Sequence, residues 1–280
     1  MEKRKKLAIV TGAGGTLCSC IAIHLAKRGM AVALIGRSYD KLKRVADEIN
    51  QNGGECVIKC ADVTDKARIA EVAVELYAEY GACDYLINGA GGNQMMAMTT
   101  LTEYDPVELS VEKPEGIRGF FDLDMDIYES VLKINTVGTV VCCQVFGEQM
   151  ARAGGGAIIN FASMNAYCPL TRVPAYAMSK AAIENYTRWL GNYFAPAKIR
   201  VNAIAPGFFV NERSAKFLGT VEGGLTARGE QVIGHTPMRR FGEAKDLLGC
   251  VDWLLSDEAA GFVTGVTIPV DGGFLTKSGV

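Results

Sequence analysis

Leu7-Ala8-Ile9-Val10-Thr11-Gly12-Ala13-Gly14-Gly15-Thr16-Leu17-Cys18 decides the fold. Residues 7–10 are apolar without alternation, as in a strand covered on both faces. The glycines at 12, 14 and 15 break that run. From Leu17 a helix-length stretch follows, predicted over 17–28. A strand entering a helix through a glycine-rich turn is the opening of a βαβ unit. Such a turn lets backbone N–H groups approach an anion at the positive end of the helix.

The same alternation continues outward. Strands are predicted over 31–35, 56–60, 85–87, 157–161, 200–204 and 266–270. Helices are predicted over 39–50, 66–80, 135–152, 174–194 and 245–255. Strand–helix repetition implies right-handed crossovers. The expected fold is therefore α/β: a doubly wound parallel sheet in a Rossmann-type, three-layer αβα domain. No linker or repeat divides the sequence, so 1–280 is read as a single domain. Two stretches break the rhythm: 94–123 as an insertion, and 208–243, rich in Gly and Arg, as a substrate lid or a surface excursion.

Composition bounds the function. Of 280 residues, 49% are hydrophobic and 21% charged, the balance of a folded globular protein. A net charge of -2 gives no general attraction to nucleic acid or anionic membrane. The basic start, 1–6, precedes too short an apolar run for a signal peptide, and no stretch reads as a membrane span. Nine cysteines, an odd number with no C-x-x-C pair, suggest reduced thiols in the cytoplasm and no metal site.

The glycine turn resembles that of the short-chain dehydrogenases, whose pattern is T-G-x-x-x-G-x-G. Gly12 matches the first glycine; Thr16 and Cys18 replace the second and third. The resemblance implies a nicotinamide dinucleotide held by Gly12, Gly14, Gly15, Thr16 and Leu17. Gly36 occupies the place where NAD-preferring members carry Asp, and Arg37 follows it. A guanidinium there can grip a 2′-phosphate, which favours NADP over NAD, with a solvated strand-end arginine as the alternative. Asp62-Val63 matches the family's adenine contact, with a helix cap as the alternative for Asp62. Asn88-Gly89-Ala90-Gly91 matches the N-A-G motif beside the nicotinamide ribose. Pro206-Gly207 matches the P-G that borders the nicotinamide, with Phe209 just beyond; Asn211 stands where the family often has Thr.

Tyr176 and Lys180 sit one helical turn apart, on one face. An ammonium beside a phenol favours the phenolate, so it is expected to lower the pKa of Tyr176. Ser163 lies just beyond the strand 157–161 and Asn135 begins a helix, both matching the family's catalytic set. The resemblance makes Tyr176 the acid–base, Ser163 the hydrogen-bond donor to the reacting oxygen and Lys180 the group that tunes Tyr176 and holds the ribose. It makes Asn135 the anchor of a proton-relay water.

Further stretches resemble one subgroup, the D-mannonate oxidoreductases of short-chain type, or fructuronate reductases. They include Asn88-Gly89-Ala90-Gly91-Gly92-Asn93, Phe120-Phe121-Asp122-Leu123-Asp124, Pro169-Leu170-Thr171-Arg172-Val173-Pro174, His235-Thr236-Pro237-Met238 and Ser278-Gly279-Val280. A sugar acid needs a cation for its carboxylate and polar groups for its hydroxyls. Gly92, Asn93, Ser163, Asn165, Arg172 and Tyr176 are the candidate substrate contacts, with Gln94, Arg213, His235, Arg239 and Arg240 nearby. Three readings stay open: a sugar-acid oxidoreductase, the same chemistry on a 3-oxoacyl thioester or sugar alcohol, and a cofactor-binding regulator without catalysis. The resemblance also implies a homo-oligomer, a tetramer for preference, paired through 135–152 and 174–194.

Overall fold

The computed structural model describes residues 4–210, 214–220 and 223–278. Its frame is a seven-stranded, wholly parallel sheet in the order β3-β2-β1-β4-β5-β6-β9. The first half supplies β1 (Leu7–Thr11), α1 (Thr16–Lys27), β2 (Ala31–Gly36), α2 (Tyr39–Gln51), β3 (Glu55–Cys60), α3 (Lys66–Tyr80) and β4 (Tyr85–Asn88). The second supplies α4 (Met125–Asn135), α5 (Val137–Ala153), β5 (Gly156–Phe161), α6 (Pro174–Phe194) and β6 (Ile199–Pro206). Next come α7 (Ala215–Leu218), the small hairpin β7 (Gly219–Thr220) and β8 (Gly224–Leu225), α8 (Ala227–His235), α9 (Leu248–Leu255), α10 (Asp257–Ala260) and β9 (Thr267–Val270). The expected doubly wound αβα architecture is the one observed.

The strands are apolar throughout because both faces are covered. In β1, Ala8 and Val10 join a core with α1, α2 and α9. Leu7 and Ile9 join the opposite core with α3 and α5. Side-chain alternation along one buried strand thus feeds two helix layers. The strand order reverses between β1 and β4, which opens a crevice at the carboxyl ends of these strands.

Several boundaries differ from the sequence reading. The helix expected over 135–152 starts earlier, at Met125, where the Asp124 carboxylate accepts the Ile127 N–H at 2.9 Å and caps it. It is interrupted at Thr136, which separates α4 from α5. The continuous stretch Met125–Ala153 is long and apolar enough to cross a membrane, contrary to expectation, yet half of its apolar window is buried in the protein. The helix expected over 245–255 begins as a 3-10 turn, Ala244–Leu247. The insertion 94–123 contains three short 3-10 turns rather than regular elements. The stretch 208–243 carries a helix, α8, that sequence periodicity did not reveal; Leu218, Val232 and Phe241 form a small core there.

Candidate active site

The glycine turn and the loop after β4 are locked together by close backbone contact. Gly12 has φ 67°, and a Cβ there would stand 2.8 Å from the Gly89 carbonyl oxygen and 2.9 Å from Ala90. The Thr11 hydroxyl accepts the N–H groups of Gly89 and Ala90, each at 3.1 Å. α1 begins at Thr16 with Gly15 as its cap, no capping side chain and no acidic residue in its first turn. That bare helix end lies beyond the carboxyl end of β1, flanked by Gly14 and Gly15, with Thr16 and Leu17 as its first helical residues. These features fit the diphosphate of a dinucleotide.

Cys18 explains the departure from the family's glycine pattern. A Cβ on residue 89 would stand 2.0 Å from the Cys18 sulfur. The side chain added at 18 thus fills the space left free by Gly89. Burial pushes the Cys18 thiol up to about 12 despite the opposing Lys180 charge, so it is a protonated packing group.

Arg37, at the end of β2, is exposed, and its guanidinium lies 3.7 Å from the Asp62 carboxylate. Burial acts upward on Asp62, but hydrogen bonds from the Thr64 backbone and hydroxyl, with Arg37 beside it, hold its carboxyl below the ordinary range. The cap of α3 is Asp65, not Asp62, since Asp65 accepts from the Arg68 N–H. Val63 is buried against Gly138. Asn88 donates to Asn160 at 2.9 Å, and Asn160 donates to the Thr187 hydroxyl at 3.0 Å, a polar ladder through the sheet centre.

The four catalytic candidates gather beyond β4 and β5. Ser163 lies just beyond β5, buried, and caps the turn Met164–Ala166, its hydroxyl accepting from the Asn165 N–H at 3.2 Å. α6 starts at Pro174, whose fixed φ suits the first helical turn. It carries Tyr176 and Lys180 on one face, with the Lys180 Nζ 5.5 Å from the Tyr176 ring centre. Burial raises the Tyr176 phenol, and its hydrogen bond with Ser163 opposes that rise. The lowering expected from Lys180 is not found. Its ammonium donates to the Phe161 carbonyl at 2.7 Å, and burial lowers its pKa to about 8. Asn135, at the break between α4 and α5, clamps Gly92: its Nδ2 donates to the Gly92 carbonyl at 2.7 Å and its Oδ1 accepts the Gly92 N–H at 3.0 Å.

The other candidates divide. The Asn165 Oδ1 accepts the Leu170 N–H at 2.7 Å and shapes the loop leading to Arg172. Arg172 lines a cleft of about 310 Å³ with His235 and Phe208. Asn93 bonds to the neighbouring Gln94 backbone, and the Gln94 side chain reaches Ser130. Gly207, after Pro206, is pressed so closely on Asp271 that a Cβ would stand 2.6 Å from the Asp271 Cα. The ring of Phe209 packs on Gly242, in a second cleft. Arg240 is engaged by Asp246 at 2.6 Å, and Arg239 by the Gly234 carbonyl. Asn211, Arg213, Gly279 and Val280 lie outside the described residues. Arg228, on α8, lines the Arg172 cleft and was missed, because no local motif connects α8 to the loop before α6.

A wound parallel sheet, a bare helix end at its switch point and a Ser–Tyr–Lys group beyond β5 define a dinucleotide-dependent oxidoreductase. The short-chain dehydrogenase family model matches residues 6–218. The protein therefore belongs to the short-chain dehydrogenase family and is an oxidoreductase acting on CH–OH groups. It is 43% identical over 275 residues to an uncharacterized oxidoreductase, UxuB, of Bacillus subtilis, covering 98% of this chain and 96% of that one. Among solved structures it resembles a provisionally assigned D-mannonate oxidoreductase from Haemophilus influenzae with bound NAD. The identity is 43% and the TM-score 0.92, with 99% and 97% of the two chains covered. It also resembles a provisionally assigned NAD(P)-dependent gluconate 5-dehydrogenase from Beutenbergia cavernae with bound NADP, at 32% identity and TM-score 0.80, with 98% of each chain covered.

Proposed function

We propose that the protein is an NAD(P)-dependent oxidoreductase of a sugar acid, interconverting D-fructuronate and D-mannonate. The observation that carries this reading is the 43% identity over 99% of the chain to the Haemophilus influenzae protein. A complete Asn135, Ser163, Tyr176 and Lys180 group argues against a regulator without catalysis. The protein is read as one domain, 1–280, with a lid around 208–243.

When bound, the nicotinamide supplies or accepts the hydride. Gly12, Gly14, Gly15, Thr16 and Leu17 would hold its diphosphate, Asp62 and Val63 its adenine, and Asn88, Gly89 and Ala90 its ribose side. Pro206, Gly207 and Phe209 would border the nicotinamide. Tyr176 gives a proton to the carbonyl oxygen on reduction and removes one from the alcohol on oxidation. Ser163 donates a hydrogen bond to that oxygen, where negative charge develops. The buried Lys180 holds a cation near the phenol and the ribose. Asn135 fixes Gly92 and the entrance to the site. Gly92, Asn93, Asn165 and Arg172 line the substrate side.

Arg37 can serve a 2′-phosphate, and we favour NADP; the NAD held by the 43% identical structure keeps NAD as the second choice. The exposed Val137, Met178, Trp189 and Tyr193 on α5 and α6 support self-association, for which we propose a tetramer. Nine free cysteines support a reducing, cytoplasmic setting.

The test is turnover of D-fructuronate, a 3-oxoacyl thioester and D-fructose with NADH and NADPH in parallel. D-fructuronate is expected to show the largest kcat/KM. Greater activity on either other substrate would refute the assignment. Arg37→Ala is expected to weaken NADPH at least tenfold more than NADH, the loss of a charge-assisted contact of roughly 1.5–3 kcal/mol.

A further inference from the structure

Arg172 and Arg228 come from distant parts of the sequence and line the same cleft, with Gln231 and His235 on the α8 side and Thr102 from the insertion. The cleft, about 310 Å³, is of a size that takes a small ligand. Both arginines are held there at a cost. Arg172 has φ 73°, the left-handed region that favours glycine, and its Nε is buried without a hydrogen-bond partner. Its carbonyl accepts the Thr99 N–H at 3.1 Å, which ties this strained residue to the insertion. Arg228 occupies the first turn of α8, where the helix end is already positive and a cation is disfavoured. Burial and the neighbouring Arg172 charge both act against its guanidinium. Elsewhere Arg188, Arg200 and Arg240 each hold a carboxylate. The ion pairs among the described residues include neither Arg172 nor Arg228.

Two guanidiniums brought together without an acid, one on a strained backbone and one on the wrong end of a helix, call for an anion between them. We infer that Arg172 and Arg228 form a clamp for the anionic end of the substrate, the carboxylate of a sugar acid. This inference rests on the sugar-acid reading for the identity of the anion but not for the clamp itself. Arg172 stands on the fixed loop that leads into the catalytic helix, four residues before Tyr176. Arg228 stands on the lid helix. A bound carboxylate would offset their mutual repulsion and draw the lid onto the catalytic loop. Recognition of the charged end and closure of the site would then be one event. Because a guanidinium can engage a carboxylate through two parallel N–H bonds, the clamp also fixes which end of a six-carbon substrate faces Tyr176.

Three ligands that differ only at one terminus test the clamp: D-mannonate, D-mannitol 1-phosphate and neutral D-mannitol. Each is titrated calorimetrically into wild type, Arg172→Gly and Arg228→Met with NADPH present, because an alcohol and the reduced cofactor form a dead-end complex in which no hydride can move. Glycine tolerates the backbone angle at 172, so Arg172→Gly removes the charge and the strain together. Its Tm is expected to be unchanged or raised, which separates a binding role from a structural one. For wild type, D-mannonate is expected to bind more tightly than D-mannitol by roughly 10- to 100-fold, and each substitution should abolish most of that advantage. If D-mannitol 1-phosphate alone shows the advantage, and the substitutions remove it, the clamp stands and the sugar-acid reading falls. If an advantage for D-mannonate survives both substitutions, the clamp falls and the reading stands. No advantage for either anion would overturn the clamp.

Discussion

The cofactor side and the lid side of this molecule are built on opposite principles. On the first, from β1 to the loop after β4, regular elements bring backbone against backbone. Gly12 lies against Gly89 and Ala90, and the Thr11 hydroxyl binds both of their N–H groups. Cys18 occupies the space that Gly89 leaves. On the second, the insertion has only 3-10 turns and the lid has short elements around three buried side chains. Some of its polar side chains, Thr102, Arg228, Gln231 and His235 among them, line a cleft. The difference teaches that the turn after β1 and the loop after β4 leave no room for added volume where they meet, at Gly12 and Gly89. The second side has tight points of its own, since a Cβ at Gly119 or Gly229 would stand 1.9 Å from the Glu108 carboxylate or the Leu218 carbonyl, but it also has open positions such as Gly116.

The largest expected effect lies where the two sides meet. Tyr176→Phe removes the proposed acid–base group, and kcat is expected to fall by roughly 10²–10⁴-fold. Dinucleotide affinity, measured by fluorescence titration, should change little. Substantial turnover by this variant would remove Tyr176 from the mechanism.

Next in size is the packing of the cofactor side. Gly89→Ala forces a methyl group onto the Cys18 sulfur and is expected to cost about 1–3 kcal/mol in urea unfolding. Cys18→Gly in the same protein should restore part of the loss, as coupled neighbours do. Purely additive losses would show that the two positions do not share that space.

Lys180 gives the cofactor side a pH signature. Its pKa falls from 10.5 in the unfolded state to about 8 in the fold, a penalty on the buried cation of roughly 3 kcal/mol. Below pH 8 the penalty is present in full. Between about pH 8 and 10.5 the unfolded state keeps the proton that the folded one has lost, so stability from this group rises with pH. Lys180→Met should flatten that rise. An identical pH profile for both proteins would contradict the burial of a titrating ammonium.

The smallest effect is expected on the lid side. Gly116 in the insertion has φ 84° and open space where a Cβ would be. Gly116→Ala therefore meets only backbone strain, about 1 kcal/mol. A loss as large as that of Gly89→Ala would erase the contrast between the two halves.

Strand–helix alternation, the glycine turn, and Ser163, Tyr176 and Lys180 were legible in the sequence because each is a local pattern. Continuous apolar runs mark strands buried on both faces, and a spacing of four places two side chains on one helix face. The Asp124 cap of α4 was also a local signal, an aspartate before a helical stretch, but the featureless insertion hid it. The family resemblance supplied roles for residues whose chemistry alone left several open.

Other properties depended on residues that meet only after folding. Cys18 looked like a defect in a motif until Gly89, from another loop, proved to be its complement. Arg240 looked like a substrate ligand until Asp246 took it, while Arg228, carried by an unrecognised lid helix, reached the cleft of Arg172. The phenol of Tyr176 is raised because burial outweighs the opposing hydrogen bond with Ser163, which comes from another element. Sequence spacing determines which residues share a strand or a helix face. Burial and the approach of distant side chains are properties of the packed protein, and these set which charges are left without a partner and which groups shift their protons.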